Sequence, residues 1–217
     1  LYERFGPQKW WPADSRFEVI IGAILTQSAA WTNVEKAIAS LKQANVLCPG
    51  GLRSIPQARL ARLVYSSGYF NAKARKIKAF VEHLGRYYSD DLDAMFRKET
   101  RELRRELLSI HGIGEETADS ILLYAADRPV FVMDAYTRRI VERLGHRPEG
   151  DSYNAYQELF MACLPYDPAL FNEYHALLVA LGKEVCRKRP LCHRCCLNTL
   201  CAYGQEQVGG KAERESV

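Results

Sequence analysis

The segment Ser109-Ile110-His111-Gly112-Ile113-Gly114-Glu115-Glu116-Thr117-Ala118-Asp119 lies between two amphipathic runs. Apolar residues at helical spacing precede and follow it, so the sequence predicts a helix, a tight hairpin and a second helix. Two glycines one residue apart let the backbone turn sharply and present amide N–H groups, which makes an anion site. Phosphate is the obvious anion for a basic protein. A plain connection between helices, with glycine as the C-cap, is the alternative that Gly-x-Gly alone leaves open.

A short apolar run after the second predicted helix ends at a single carboxylate. This run is Val130-Phe131-Val132-Met133-Asp134, and Ala135-Tyr136 then opens the next helix. Asp134 can be an N-cap of that helix, or a carboxylate held for chemistry in a partly apolar pocket at the helix start. Both interpretations stay open at this point.

The composition is that of a globular protein with a small excess of positive charge. The 217 residues are 47% apolar and carry a net charge of +4, which allows one sizeable core or two small lobes. Basic residues cluster at 73–78, 101–105, 138–139 and 183–194, although a solvated helix face explains any one cluster. No apolar run approaches the length of a membrane span. Cytoplasmic residence is therefore the default expectation.

Helical periodicity dominates the chain. It predicts helices over 16–25, 31–44, 56–66, 71–88, 135–145, 153–164 and 168–181, a turn or two at 90–96, and the hairpin unit at about 100–126. No alternating strand of useful length is found, so the predicted fold is all-α. The polar residues 205–217 are predicted to form a disordered tail.

Five of the seven cysteines fall within sixteen positions near the C-terminus. They are Cys186, Cys192, Cys195, Cys196 and Cys201. Disulfides are not expected in a cytoplasmic protein, and this density of thiols argues for a metal site. A zinc site and an iron–sulfur cluster both fit the residue types, and the spacing alone does not separate them.

The block from Leu108 to Asp134 resembles the helix-hairpin-helix and Gly/Pro/Asp motif of the endonuclease III superfamily of DNA glycosylases. The segment Gly68-Tyr69-Phe70-Asn71-Ala72-Lys73-Ala74 is similar to the family's Gly-x-Tyr-Asn-x-Lys-Ala, and the resemblance extends from Phe17 to Tyr203. It implies a two-lobed helical fold: a helical barrel at 17–133 that contains the helix-hairpin-helix at about 103–126, and a second lobe of 1–16 with 134–204. A damaged nucleotide of double-stranded DNA would be flipped into the cleft between the lobes.

The same resemblance decides between the two metal sites. Endonuclease III relatives carry a [4Fe-4S] cluster on Cys-x6-Cys-x2-Cys-x5-Cys, and this chain has the same order of ligands with one residue fewer in the first interval. The implied ligands are Cys186, Cys192, Cys195 and Cys201. Cys196 is the spare thiol, unless the shorter interval makes it replace Cys195.

The resemblance also implies the chemistry. Bifunctional members have a lysine two residues after the second hairpin glycine, where this chain has Glu116. A carboxylate cannot form the imine that cleaves the strand, so the sequence predicts a monofunctional glycosylase. Asp134 would stabilise the oxocarbenium-like sugar and activate water. Glu116 is either a surface residue or part of the pocket wall.

Three tryptophans point to the substrate. Trp10 or Trp11 could sandwich a flipped base together with Trp31, and electron-rich rings favour a cationic base. With Glu116 in place of the lysine, the motifs are similar to the 3-methyladenine glycosylase branch of the superfamily. The predicted substrate is an N-alkylated purine.

Contacts with duplex DNA are predicted from the hairpin, from one turn and from basic residues. Gln27 is the expected wedge into the gap left by the flipped base, with Ser28 as its alternative. The other predicted contacts are His111, Gly112, Ile113, Gly114, Lys73, Arg187 and Lys188. A monomer acting at the nucleoid is expected.

Three rival functions remain. They are a bifunctional endonuclease III acting on oxidised pyrimidines, a mismatch adenine glycosylase, and a non-catalytic DNA-binding or redox module that keeps the hairpin and the cluster.

Overall fold

A computed structural model describes residues 1–212 of the chain and confirms the predicted all-α fold. Within those residues there are helices and short 3-10 turns but no strand. The helices are α1 Tyr2–Phe5, α2 Arg16–Leu25, α3 Trp31–Gln43, α4 Pro49–Ser54, α5 Gln57–Leu63, α6 Phe70–Tyr88, α7 Leu92–Phe96, α8 Thr100–Ser109, α9 Glu115–Tyr124, α10 Ala135–Leu144, α11 Tyr153–Met161, α12 Pro168–Glu184 and α13 Ala202–Ala212.

The chain divides into two compact units. One runs from Trp11 to Arg128, and the other joins Leu1–Trp10 to the chain from Pro129 onward. The boundary at Pro129 follows the second helix of the hairpin and precedes the apolar run that leads to Asp134.

The first unit is built around α2, which is buried on all sides. Its Ser15 cap accepts a hydrogen bond from the backbone N–H of Glu18 at 3.1 Å, as expected for serine before an apolar helix. Ile20, Ile21 and Ile24 are fully buried. Helices α3, α6 and α9 pack against α2, so the second helix of the hairpin rests directly on this core.

The second unit is held together by aromatic residues between α10, α11 and α12. The Phe131 ring stacks on Phe160 at 4.0 Å between centroids and meets Phe171 edge-on at 5.4 Å. Helix α10 packs closely against α12. A Cβ on Gly182 would lie 2.6 Å from the Tyr136 ring, so glycine is needed there for the two helices to approach.

Two segments differ from the sequence predictions. Residues 49–54, where the sequence predicts no helix, form α4, because the Cys48 sulfur accepts from the backbone N–H of Gly51 at 3.4 Å and Pro49 suits a first helical position. The tail expected to be disordered from 205 continues as α13 through Ala212, with the Gln205 side chain donating to the carbonyl of Thr199. The part of that prediction at 213–217 lies outside the described residues.

Across residues 1–212, no helix is both long enough and apolar enough to cross a bilayer.

Candidate functional site

The hairpin turn has the backbone geometry of an anion site. Gly112 has φ +83°, and a Cβ there would lie 2.2 Å from Cγ of Lys76, so only glycine fits. Gly114 is the N-cap of α9 and provides no capping side chain. The N–H groups of the first turn of α9 therefore have no partner inside the helix. His111 and Gly114 are exposed, whereas Ile113 is buried and anchors the turn.

Gln27 binds the hairpin instead of projecting from the protein. Its Nε2 donates to the carbonyl of Gly112 at 3.0 Å and to Oγ1 of Thr117 at 2.9 Å, and Lys76 donates to its Oε1. These bonds hold the Gln27 amide against the hairpin in the DNA-free protein, and its wedge role stays a prediction. The alternative, Ser28, is exposed and has φ +53° at the tip of the same turn.

A buried ion pair joins the two hairpin helices. Nε and Nη2 of Arg104, on α8, donate to the two carboxylate oxygens of Asp119, on α9, at 2.6 and 3.1 Å. Asp119 is fully buried. This two-point contact fixes the angle between α8 and α9 and so the shape of the turn. The sequence analysis missed this pair; its signal was a charged residue on the apolar face of α9.

Lys73 is inside the protein and does not reach a phosphate. It is 1% exposed, and its ammonium donates to the carbonyls of Leu25 and Ser67. Burial, with a smaller effect from the charge of Lys76, lowers the pKa of Lys73 to about 8. The predicted DNA contact is therefore wrong for this residue, which instead ties the end of α2 to the turn before Tyr69.

Asp134 is the N-cap of α10. Its Oδ1 accepts a hydrogen bond from the backbone N–H of Thr137 at 2.7 Å, and its side chain is 15% exposed. Among residues 1–212 no hydrogen bond to Oδ2 is found. The N-cap and the partly buried carboxylate, two alternatives in the sequence, are therefore compatible: Oδ1 is held at the helix start, and the side chain keeps 15% of its surface exposed.

A buried histidine lies beside this carboxylate. Nε2 of His175, on α12, is 3.8 Å from Oδ1 of Asp134. Burial lowers the pKa of His175; the charge of Asp134 opposes this shift and that of Lys183 adds to it. The sequence analysis did not single out His175, because one histidine on a largely apolar helix carries no motif.

Trp11 and Trp31 contact each other edge to face. Their ring centroids are 5.3 Å apart at an interplanar angle of 87°. Tyr124, which was not predicted, lies 5.3 Å from Trp11 at 58°. A sandwich needs parallel rings separated by the thickness of a base, so these rings form an aromatic corner instead, and one face could stack on a base.

A pocket of about 220 Å³ adjoins this corner. Trp11 and Trp31 line it together with Gly22, whose missing side chain leaves room for the Trp11 ring, and with the carboxylates of Glu18 and Glu35. Lys42 also lines the pocket, and its ammonium lies 2.8 Å from Oε1 of Glu18. Glu35 is therefore the carboxylate that adds to the preference of the aromatic faces for a positively charged occupant.

Trp10 and Glu116 are the other two residues predicted to line the base pocket. Trp10 belongs to the other unit, where the ammonium of Lys183 lies 5.9 Å from its ring centroid. Glu116 is exposed in the first turn of α9, and Tyr124 lies eight residues further along, on the same side of that helix.

Four cysteines surround one small cavity. Cys186, Cys192, Cys195 and Cys201 line a cavity of about 20 Å³, whereas Cys196 is exposed and does not line it. Among residues 1–212 no three His, Cys, Asp or Glu side chains are close enough together to hold a single metal ion.

Donors point at two of the sulfurs. Arg143 Nη1 lies 3.2 Å from Sγ of Cys186, and the backbone N–H of Gly204 donates to Sγ of Cys201 at 3.3 Å. Hydrogen bonds of this kind stabilise thiolates that bind iron. Burial raises the pKa values of the Cys192 and Cys195 thiols.

Helix α10 carries both the candidate catalytic residue and the supports of the cysteine loop. Arg139 Nε donates to the carbonyl of Cys186 at 2.9 Å, and Arg143 donates to the carbonyls of Arg187 and Lys188 at 2.7 and 3.1 Å. The side chains of Arg187 and Lys188 are exposed. Their backbone is thus fixed while their charges remain available to a ligand.

Comparison with known proteins identifies relatives along most of the chain. The family model described as HhH-GPD superfamily base excision DNA repair protein matches residues 21–165. A candidate DNA repair glycosylase of Methanocaldococcus jannaschii is 44% identical over 202 residues, which cover 93% of this chain and 92% of that protein.

Solved structures with the same fold include DNA repair enzymes. H. pylori 3-methyladenine DNA glycosylase bound to 1,N6-ethenoadenine has a TM-score of 0.72 and 26% identity, covering 83% of this chain and 91% of that one. An endonuclease III in a non-covalent complex with DNA has a TM-score of 0.82 over 95% of this chain and 92% of that one. At 22% identity, the second match shows the fold alone.

Proposed function

This chain belongs to the HhH-GPD superfamily of base excision DNA repair proteins and is a DNA glycosylase, and we propose that it is a monofunctional one that releases N-alkylated purines of the 3-methyladenine type. The observation that carries the proposal is a carboxylate, Glu116, at the position of the family's imine-forming lysine. Asp134, whose Oδ1 accepts from the N–H of Thr137, is the proposed catalytic carboxylate.

Asp134 provides the chemistry in this proposal. Hydrolysis of the N-glycosidic bond builds positive charge on the sugar, and an ionised carboxylate next to it lowers the barrier. The hydrogen bond from Thr137 holds Oδ1, so Oδ2 is the oxygen that faces the sugar and orients the attacking water. Because Glu116 cannot form an imine, the strand stays intact after the base leaves.

The aromatic corner supports an alkylated purine as substrate. A 3-methylated adenine carries a positive charge and leaves readily without an acid, and the faces of Trp11, Trp31 and Tyr124 attract such a ring. The carboxylate of Glu35 in the adjoining pocket adds to that preference. The likeness to H. pylori 3-methyladenine DNA glycosylase points the same way.

Duplex DNA is held in this proposal mainly through phosphates. The first-turn amides of α9 bind one phosphate, and exposed side chains such as Arg187 and Lys188 bind others. Gln27, with Ser28 as its alternative, enters the gap left by the flipped base. We propose that the protein acts as a monomer on nucleoid DNA in the cytoplasm, since each chain contains one hairpin and one Asp134.

We also propose that Cys186, Cys192, Cys195 and Cys201 hold a [4Fe-4S] cluster. Their thiols line one cavity, and donors already approach two of the sulfurs. When bound, the cluster supplies a covalent tie that stiffens the loop carrying Arg187 and Lys188. The hydrogen bonds from Arg139 and Arg143 anchor the same loop to α10 independently of the cluster.

The test is a product analysis on methylated duplex DNA. Free 3-methyladenine, with strands that break only after alkali, is the expected result. Borohydride should trap no covalent adduct. Strand scission without alkali, or a trapped adduct, would instead identify a bifunctional enzyme, and oxidised pyrimidines would then be the substrates to examine. Binding without release of any base would identify a non-catalytic module.

A further inference from the structure

We infer that His175 is a positioning residue that fixes the carboxylate of Asp134 from the interior of the protein. The inference rests on the proposed catalytic role of Asp134. His175 projects from α12, which packs against α10, and the two side chains approach each other to 3.8 Å between Nε2 and Oδ1.

The position of the imidazole is itself constrained. The side chain of His175 is 8% exposed, and the Phe131 ring meets it edge-on at 6.3 Å and 89°. Phe131 is stacked on Phe160 within the aromatic core. The imidazole therefore cannot turn away from Asp134 without disturbing that packing.

The imidazole acts on the carboxylate as a neutral donor. Burial keeps the pKa of His175 below its usual range despite the nearby charge of Asp134, and the charge of Lys183 lowers it further. A neutral imidazole carries one N–H. With that proton on Nε2 the ring directs a donor at Oδ1 without neutralising the charge that the reaction needs.

Two groups thus approach the same carboxylate oxygen from different helices. The backbone N–H of Thr137 binds Oδ1 from α10 at 2.7 Å, and His175 lies against it from α12. A single hydrogen bond lets a carboxyl group rotate about its Cα–Cβ and Cβ–Cγ bonds, whereas two contacts from different directions fix its plane. The 3.8 Å separation shortens to a hydrogen bond when the sugar and water engage Oδ2, since contacts of this kind often tighten only in the reacting complex.

The predicted consequence is a loss of rate without a loss of DNA affinity. Replacing His175 by leucine removes the donor but keeps an apolar side chain in the buried space. The single-turnover rate of base release should fall by about tenfold to a hundredfold, because a small misplacement of a catalytic group is enough for that. The dissociation constant for duplex DNA should stay unchanged, since His175 does not reach the surface.

Two further variants distinguish an effect on the position of the Asp134 carboxylate from an effect on the stability of the protein. His175→Gln restores an N–H donor of similar reach and should recover most of the lost rate. Leu177→Ala, a buried change on the opposite side of α12, is the control: it should lower the melting temperature but leave the rate near that of the wild type. Circular dichroism and thermal melts establish that each variant is folded.

The outcomes distinguish this inference from the proposed function. If Asp134→Asn releases base as fast as the wild type, the proposed function fails whatever His175 does. If Asp134→Asn is inactive while His175→Leu keeps the wild-type rate, or loses rate only in proportion to its stability as Leu177→Ala does, then only the inference about His175 is overturned. Failure of His175→Gln to exceed His175→Leu would also overturn it.

Discussion

Replacing Lys73 by methionine should change how the free energy of unfolding depends on pH. The Lys73 ammonium is buried, which lowers its pKa from 10.5 to about 8 in the folded protein. In the unfolded chain, Lys73 keeps the ordinary lysine pKa of 10.5. Between these two pKa values, the unfolded state therefore binds more protons than the folded state. The wild type is therefore expected to become more stable, relative to Lys73→Met, as the pH rises through this window.

The size of the effect follows from the two pKa values. Below the folded pKa both states hold the proton, and the folded protein carries the whole cost of a buried charge. Between pH 7 and about pH 9.5, the wild type should gain about 2 kcal/mol relative to Lys73→Met. Other groups that titrate in this range are present in both proteins, and their contributions cancel in the difference.

Urea denaturation followed by circular dichroism, repeated across this pH range, measures that difference. The matched control is Lys36→Met, because Lys36 is exposed and its ammonium stays in water when the protein folds. If the difference in the free energy of unfolding between wild type and Lys73→Met does not change with pH, the reasoning that Lys73 is buried with a lowered pKa is refuted. Lys73→Met should also leave the salt dependence of DNA binding unchanged, since this ammonium contacts carbonyls and no phosphate.

Three other substitutions test the remaining parts of the site. Cys195→Ser should abolish iron loading and its visible absorbance in the purified protein, whereas Cys196→Ser should keep both; equal loss in the two variants would contradict the assignment of ligands. Arg104→Met should lower the free energy of unfolding by about 3–5 kcal/mol because Asp119 is left as an uncompensated buried charge, and adding Asp119→Leu should recover part of that loss in chemical denaturation. Gly112→Ala should cost about 1–3 kcal/mol from backbone strain alone and weaken duplex binding in a fluorescence titration, while unchanged binding would remove the hairpin from the interface.

The helices and the hairpin follow from local signals. The apolar run after the Ser15 cap predicts α2, amphipathic spacing predicts α3 and α6 to within two residues, and Gly112 and Gly114 mark the turn. Such features depend on residues close in sequence. The N-cap position of Asp134 is local in the same sense, since Thr137 three residues later supplies the partner.

The contacts that the sequence does not predict join polar side chains to partners in other elements of the fold. Lys73 belongs to a basic cluster in the sequence, yet its ammonium meets carbonyls 48 and 6 residues away. Gln27 lies on a polar turn, yet its amide binds Gly112, 85 residues later. Whether a polar side chain faces solvent or closes a buried contact depends on which helices pack together, and periodicity does not contain that information.

Asp134→Asn provides the most direct test of the central claim. Single-turnover release of 3-methyladenine from methylated duplex DNA is measured for this variant and the wild type, together with the dissociation constant for the same duplex. The account predicts that the rate falls by about a hundredfold or more while the dissociation constant changes little. A variant that releases the base at the wild-type rate would show that Asp134 is only the N-cap of α10 and that the catalytic group lies elsewhere.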